Sequence, residues 1–156
     1  MTAQHAVTET GPAVFIRLSP GTDLLAGIEE VCRSRGIRSG AIVSCIASLQ
    51  RASFFVVVPM DNPVGGGYSE PVHLDAPVEI ISGSGSIGEE ADGGIFVHLH
   101  AAMGDARGAA HGGHLLRGRC PILITSEIVI LPFTSLRLVR THDPEAGMAV
   151  LKPIKT

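Results

Sequence analysis

The sequence predicts an α+β fold, a mostly antiparallel sheet of about seven strands with a flanking helix after the first strand. Three observations lead there. Only the stretch following Thr22-Asp23 spaces its apolar residues for one helical face, with Leu24, Ile28, Val31 and Cys32 in line. From Gly40 onward the pattern changes to short β-rich runs punctuated by glycine and proline. Residues of the AVILMFWYC set make up 45% of the 156 and charged residues 17%, against roughly 25% charged in an ordinary soluble domain. Such a chain has apolar material for one well-filled core.

Each element follows in order. Residues 1–12 are polar and expected to be flexible, and 13–156 form a single domain. Ala13 to Leu18 reads as the first strand, which Ser19-Pro20-Gly21 ends. Thr22 or Asp23 supplies the oxygen that caps the helix, and Gly36 closes it. Glu29, Glu30, Arg33 and Arg35 fall largely on the opposite face and read as solvated. The strands expected next are Ala41 to Leu49, Ala52 to Val58, Val78 to Ile87, Ile95 to Met103, Pro121 to Leu131 and Ser135 to Arg140. Between the third and fourth strands, Pro59 to Ala76 is longer than an ordinary connection and is expected to be mobile or a lid. Gly83, Gly85 and Gly88 have the spacing of a dinucleotide fingerprint, but no helix pattern follows to present N–H groups to a phosphate. Those glycines instead mark a bulge or the close approach of another backbone.

Charge and hydropathy narrow the function classes. The formal net charge is −3 and the pI is near 6.1, opposite in sign to the footprint of a phosphate-binding domain. The longest apolar run, Phe54 to Val58, is far short of the roughly 18 residues of a membrane span. The first eleven residues lack the basic cluster and apolar stretch of a signal peptide, so the cytoplasm is the expected compartment. A mean hydropathy of +0.33 leaves apolar surface that a homo-oligomer would cover. Cys32, Cys45 and Cys120 are odd in number and widely spaced, which argues against a disulfide framework or a thiolate zinc site. Buried small apolar residues are the expected role of all three.

The chemistry concentrates in histidines. His98 and His100 lie two apart in a predicted strand, so their imidazoles share a face and form a chelating pair. Zinc accepts such nitrogens, and three protein ligands with an open fourth position make a catalytic centre. Gly104 to Gly108 signals a turn that folds the next segment back onto this strand. Pairing centred between Ala106 and Arg107 sets His111 opposite Ala102 on the shared face and His114 opposite Leu99 on the other. A one-residue bulge at Gly112-Gly113 would instead set His114 against His100. Strand geometry therefore leaves His111 and His114 as competing third ligands. His5, His73 and His142 have no such neighbours and read as surface or loop histidines. Glu127 is a carboxylate within an apolar strand, and reads either as a general base or partner of a metal-bound histidine, or as an outward or arginine-paired residue.

The order of Phe15-Ile16-Arg17-Leu18, Gly21-Thr22-Asp23-Leu24-Leu25, Arg38-Ser39-Gly40 through Leu49, Val78 to Gly83, His98-Leu99-His100 and Gly112-Gly113-His114-Leu115 resembles the PPC domain, the plants and prokaryotes conserved domain, over roughly residues 13 to 141. The resemblance implies a homotrimer and an architecture shared with acetolactate decarboxylases, in which three histidines hold zinc. By that analogy His98, His100 and His114 are the metal ligands and His111 is spare; if the protein is an enzyme, Glu127, by its place in an apolar strand, is the first candidate for proton transfer. The leading reading is a PPC-domain protein that binds zinc or another divalent ion through these histidines in a homotrimer near a subunit boundary; as an enzyme it would be a metal-dependent lyase or hydrolase on a small carbonyl substrate. The alternative is a DNA-associated regulatory protein without the AT-hook that plant members carry. Arg117-Gly118-Arg119-Cys120-Pro121 looks like the hook's core, but cysteine interrupts it and it reads as a turn with exposed arginines.

Overall fold

A computed structural model describes residues 5–155. The elements are β1 (Val14–Ile16), α1 (Leu24–Arg35), β2 (Gly40–Leu49), β3 (Ala52–Phe55), β4 (Val57–Pro59), β5 (Gly66–Tyr68), β6 (Val72–Leu74), β7 (Val78–Glu89), β8 (Ile95–Asp105), β9 (Ala110–Leu115), β10 (Ile122–Pro132), β11 (Leu136–Asp143) and β12 (Met148–Lys155). Ten strands form one sheet in the order β1-β10-β2-β7-β8-β9-β3-β6, with β11 paired to both β7 and β12, while β4 and β5 make a separate hairpin. Only the β11–β7 pairing is parallel among the described residues.

Among the described residues the α+β class and the single helix match expectation, but the strand count is twelve where about seven were expected. Of the five extra strands, β9 is the segment expected to fold back onto β8 after the Gly104 to Gly108 turn, and three causes account for the other four. The run Ala52 to Val58 splits into β3 and β4, which pair with different partners. The supposed loop at 59–76 contains the three-residue strands β5 and β6. In β12, Lys152, Pro153 and Lys155 break the apolar alternation, and Pro153 is tolerated because the strand is bonded on one side only.

Helix α1 starts where the Asp23 carboxylate accepts from the Ala26 N–H at 3.0 Å and ends at Gly36, whose N–H bonds back to Arg33 and Cys32. Arg33 and Arg35 in its last turn suit the negative end of the helix dipole. Leu24, Ile28 and Cys32 are fully buried against Ile42, Cys45 and Leu49 of β2, Ile80 and Ile87 of β7, Leu99 and Met103 of β8, and Ile128 and Ile130 of β10. These positions alternate along β8 and β10, while register shifts in β2 and β7 bring oddly spaced residues to the same side, so one face of the sheet is committed to the core. Glu29 departs from the solvated reading: it is buried beneath Arg117, whose Nε donates to both carboxylate oxygens at 2.8 and 2.9 Å. The remainder of the Arg117-Gly118-Arg119 segment is the expected turn.

Residues 8–11 of the lead, expected to be flexible, are tied to the β10–β11 connection. Gly11 N–H donates to the Pro132 carbonyl, and Thr134 N–H to that of Glu9, both at 3.0 Å. At the far end of β7, fully buried Glu89 sits between Arg38 and Arg137, the latter donating at 2.7 Å. Burial alone would raise its pKa, but the two guanidinium groups outweigh it and hold the carboxyl below its usual range. The three cysteines are free and buried. Burial pushes the Cys32 and Cys45 thiols up to about 12 and Cys120 up to about 11, so none is a thiolate at neutral pH.

Candidate metal centre

The site is built on the β8–β9 hairpin. Val97, Leu99, Ala101 and Met103 of β8 turn into the core, which forces His98 and His100 onto the outward face. In β9, His114 lies directly opposite His100, Gly113 opposite Ala101, Gly112 opposite Ala102 and His111 opposite Met103. The third histidine is therefore the one after the two glycines, but the bulge expected at Gly112-Gly113 is absent. The extra residue sits in the turn. Asp105 N–H bonds to the Ala109 carbonyl and Gly108 N–H to that of Asp105, with Gly108 at φ 78°. A three-residue loop closed by a left-handed glycine shifts the register by one relative to a two-residue turn. His111 consequently falls on the Met103 side, where its Nε2 meets the Asp105 carboxylate at 3.1 Å.

The three imidazoles converge. His98 Nε2 and His100 Nε2 are 2.9 Å apart, and His114 Nδ1 is 3.3 Å from His100 Nε2. One ring nitrogen from each lies within 4.8 Å of the others. Tetrahedral ligands at zinc distances stand about 3.3 Å apart, so the donor set fits a metal with little rotation of the rings. Burial, then the charge on His100, then Arg140, lower the His98 pKa. Burial, followed by His98, His100 and Arg140, brings His114 down to about 4. Both rings are thus neutral at physiological pH, the form that binds metal.

Four residues frame the cluster that sequence reasoning did not single out. Tyr68 of β5 lies 5.4 Å from the His114 ring, and Phe55 of β3 stacks on it at 6.3 Å. Phe96, two residues before His98, has its ring 6.2 Å from that imidazole, and the Arg140 guanidinium sits 4.6 Å above Phe96. Tyr68 is the chain's single tyrosine, and it stands in the long 59–76 segment, which was the available signal. Glu127 is not brought to the cluster. It is exposed on β10, and β2 and β7 lie between that strand and β8, a separation of about 14 Å at ordinary strand spacing. His73 is engaged elsewhere, its Nδ1 2.8 Å from the Ser53 hydroxyl.

The model of the Plants and Prokaryotes Conserved (PCC) domain matches residues 5–134. This chain belongs to the PCC domain family. It is 33% identical over 132 residues to the bifunctional protein GlmU of Synechococcus sp. strain JA-3-3Ab, covering 85% of this chain and 19% of that protein. The chain thus spans about a fifth of the length of the curated relatives it matches. Among solved structures, it is similar to the metal-containing protein AF0104 of Archaeoglobus fulgidus, with 27% identity, a TM-score of 0.80, and coverage of 97% of this chain and 99% of that one. The plant- and prokaryote-conserved (PPC) protein of Pyrococcus horikoshii shares the fold at 23% identity and a TM-score of 0.81, over 99% and 100% of the two chains. Among the described residues, no helix is long and apolar enough to cross a membrane.

Proposed function

We propose that this PCC-domain chain binds one divalent ion, zinc by its donor set, through His98, His100 and His114, and assembles as a homotrimer with the centre near a subunit boundary. The observation that carries the reading is the convergence of three imidazoles, with donor nitrogens within 4.8 Å of one another. The metal-containing Archaeoglobus protein of the same fold supports it. Zinc held by three histidines, with its fourth position open, would polarise a small carbonyl substrate or acidify a bound water, the chemistry of a lyase or hydrolase. His98 and His100 come from one strand and His114 from its partner, so the hairpin itself fixes the ligand geometry. Tyr68 and Phe55 press on His114 and restrict its ring. Glu127 lies on the outward face with exposed Ile46, its partner across the strand pair. Its role in proton transfer therefore requires a neighbouring copy to bring it to the centre.

Elemental analysis of protein purified without an affinity tag or chelator tests the metal reading. About one zinc per protomer in the wild type and near none in His100→Ala is the expected result. No metal in either, after incubation with zinc, removes it.

A further inference from the structure

A cleft of about 680 Å³ opens between the β4–β5 hairpin and the turn joining β11 to β12. Val57, Pro63, Val64, Tyr68, Pro144 and Met148 line it and make it predominantly apolar. Its volume falls within the range of small-molecule sites. Tyr68 is common to cleft and centre, since the same ring lies 5.4 Å from His114. A cation stands on the His98 side of the centre. Arg140 lies over Phe96, the neighbour of His98 on the outward face of β8, and Glu90 accepts from its Nη1 at 2.9 Å. A guanidinium has five N–H donors, so this bond leaves it donors for a second carboxylate.

We infer that the centre takes a small monocarboxylate with an apolar chain, its acid group shared between the three-histidine metal and Arg140 and its chain lying past Tyr68 in the cleft. The inference rests on the metal reading above and deepens it. A carboxylate matches a divalent ion beside one partly neutralised arginine in charge, and the planar guanidinium matches it in shape. An inorganic anion would use the arginine and leave the apolar cleft empty. A neutral carbonyl compound would fill the cleft and leave the arginine unused.

The test is calorimetric titration of the zinc-loaded protein with acetate, butanoate and hexanoate and with the corresponding primary amides, which have nearly the same shape without the charge. The acids are expected to bind about tenfold or more tightly than the matched amides. Each methylene should tighten binding by about fourfold until the cleft is filled. Arg140→Gln should erase the preference for acid while zinc content and chain-length dependence remain. Val64→Ser, on the exposed hairpin, should flatten the chain-length dependence and keep the preference for acid. Equal binding of acids and amides by the wild type, no gain with chain length, or inorganic phosphate binding as tightly as hexanoate would each overturn the inference while leaving the metal centre intact. A protein that takes up no zinc overturns both readings, and zinc content measured on the same samples tells the two failures apart.

Discussion

At the scale of single residues, the hairpin that carries the histidines is held at its tip by one carboxylate. Asp105 accepts from His111 Nε2 and from the N–H groups of Ala109 and Arg107. Those bonds, with His111 contributing most, hold its carboxyl down to about 2. A carboxyl depressed on folding stabilises the protein above its unfolded pKa of about 3.9, and the benefit disappears as pH falls to about 2. Asp105→Asn should therefore lower the urea midpoint at pH 6, and the gap between variant and wild type should shrink as pH falls from 4 toward 2. His114 acts in the same direction over a higher window. In zinc-free protein its pKa of about 4 lies below the unfolded value of 6.5. The unfolded chain then binds the proton first, and stability is lost between about pH 6.5 and 4. Zinc should raise stability near neutral pH and steepen that loss, because a metal-bound ring cannot take up the proton in the folded state while the unfolded chain can, which urea unfolding with and without the metal across this pH range measures.

At the scale of elements, the hairpin is positioned by glycines that admit a neighbouring backbone. A Cβ on Gly113 would stand 2.2 Å from the Phe55 carbonyl oxygen, and one on Gly85 would stand 1.9 Å from that of His98. The close approach expected at the glycines of β7 is thus realised at Gly85, against the strand that holds two of the histidines. Gly113→Ala must push β3 from β9, with a cost of about 1–3 kcal/mol and loss of the Phe55 stack on His114. The expected readouts are a lower thermal midpoint and weaker zinc retention during dialysis against a mild chelator. The same hairpin shows how far the sequence could be read. His98 and His100 were legible because a period of two needs no partner strand. The choice of His114 over His111 depended on whether the turn held two residues or three, and Gly104 to Gly108 allows either by composition. Helix α1 was legible to its capping residues because caps are local. Strands β5, β6 and β12 were not, since three-residue strands and a proline-bearing edge take their identity from their partners. Arg140 and Tyr68 reach the centre through long-range contacts that no local pattern encodes.

At the scale of the whole molecule, the outward face of the sheet poses a solvation problem that one chain does not solve. Phe15, Ile46 and Ile81 are 63%, 45% and 62% exposed on β1, β2 and β7, strands that belong to one sheet. Glu127 is the charged cross-strand neighbour of Ile46 on this face, in a chain of which only 17% is charged. Several large apolar side chains on one sheet face are what a subunit interface buries, and closed symmetry prevents the association from running on. A homotrimer of the 16.2 kDa chain should sediment at about three times that mass. Ile46→Glu combined with Ile81→Glu places carboxylates where apolar side chains would meet, and burying an unpaired charge there is costly enough to release monomers. Both positions point away from the core, so the monomer's fold should survive, with an unchanged circular dichroism spectrum. Zinc content of that monomer then separates two architectures. Retention of one ion per chain means that the β8–β9 hairpin is a complete centre by itself. Loss of the ion from a folded monomer means that a neighbouring copy contributes to holding it, and Glu127→Gln in the assembled protein then tests whether that copy's Glu127 is the group involved.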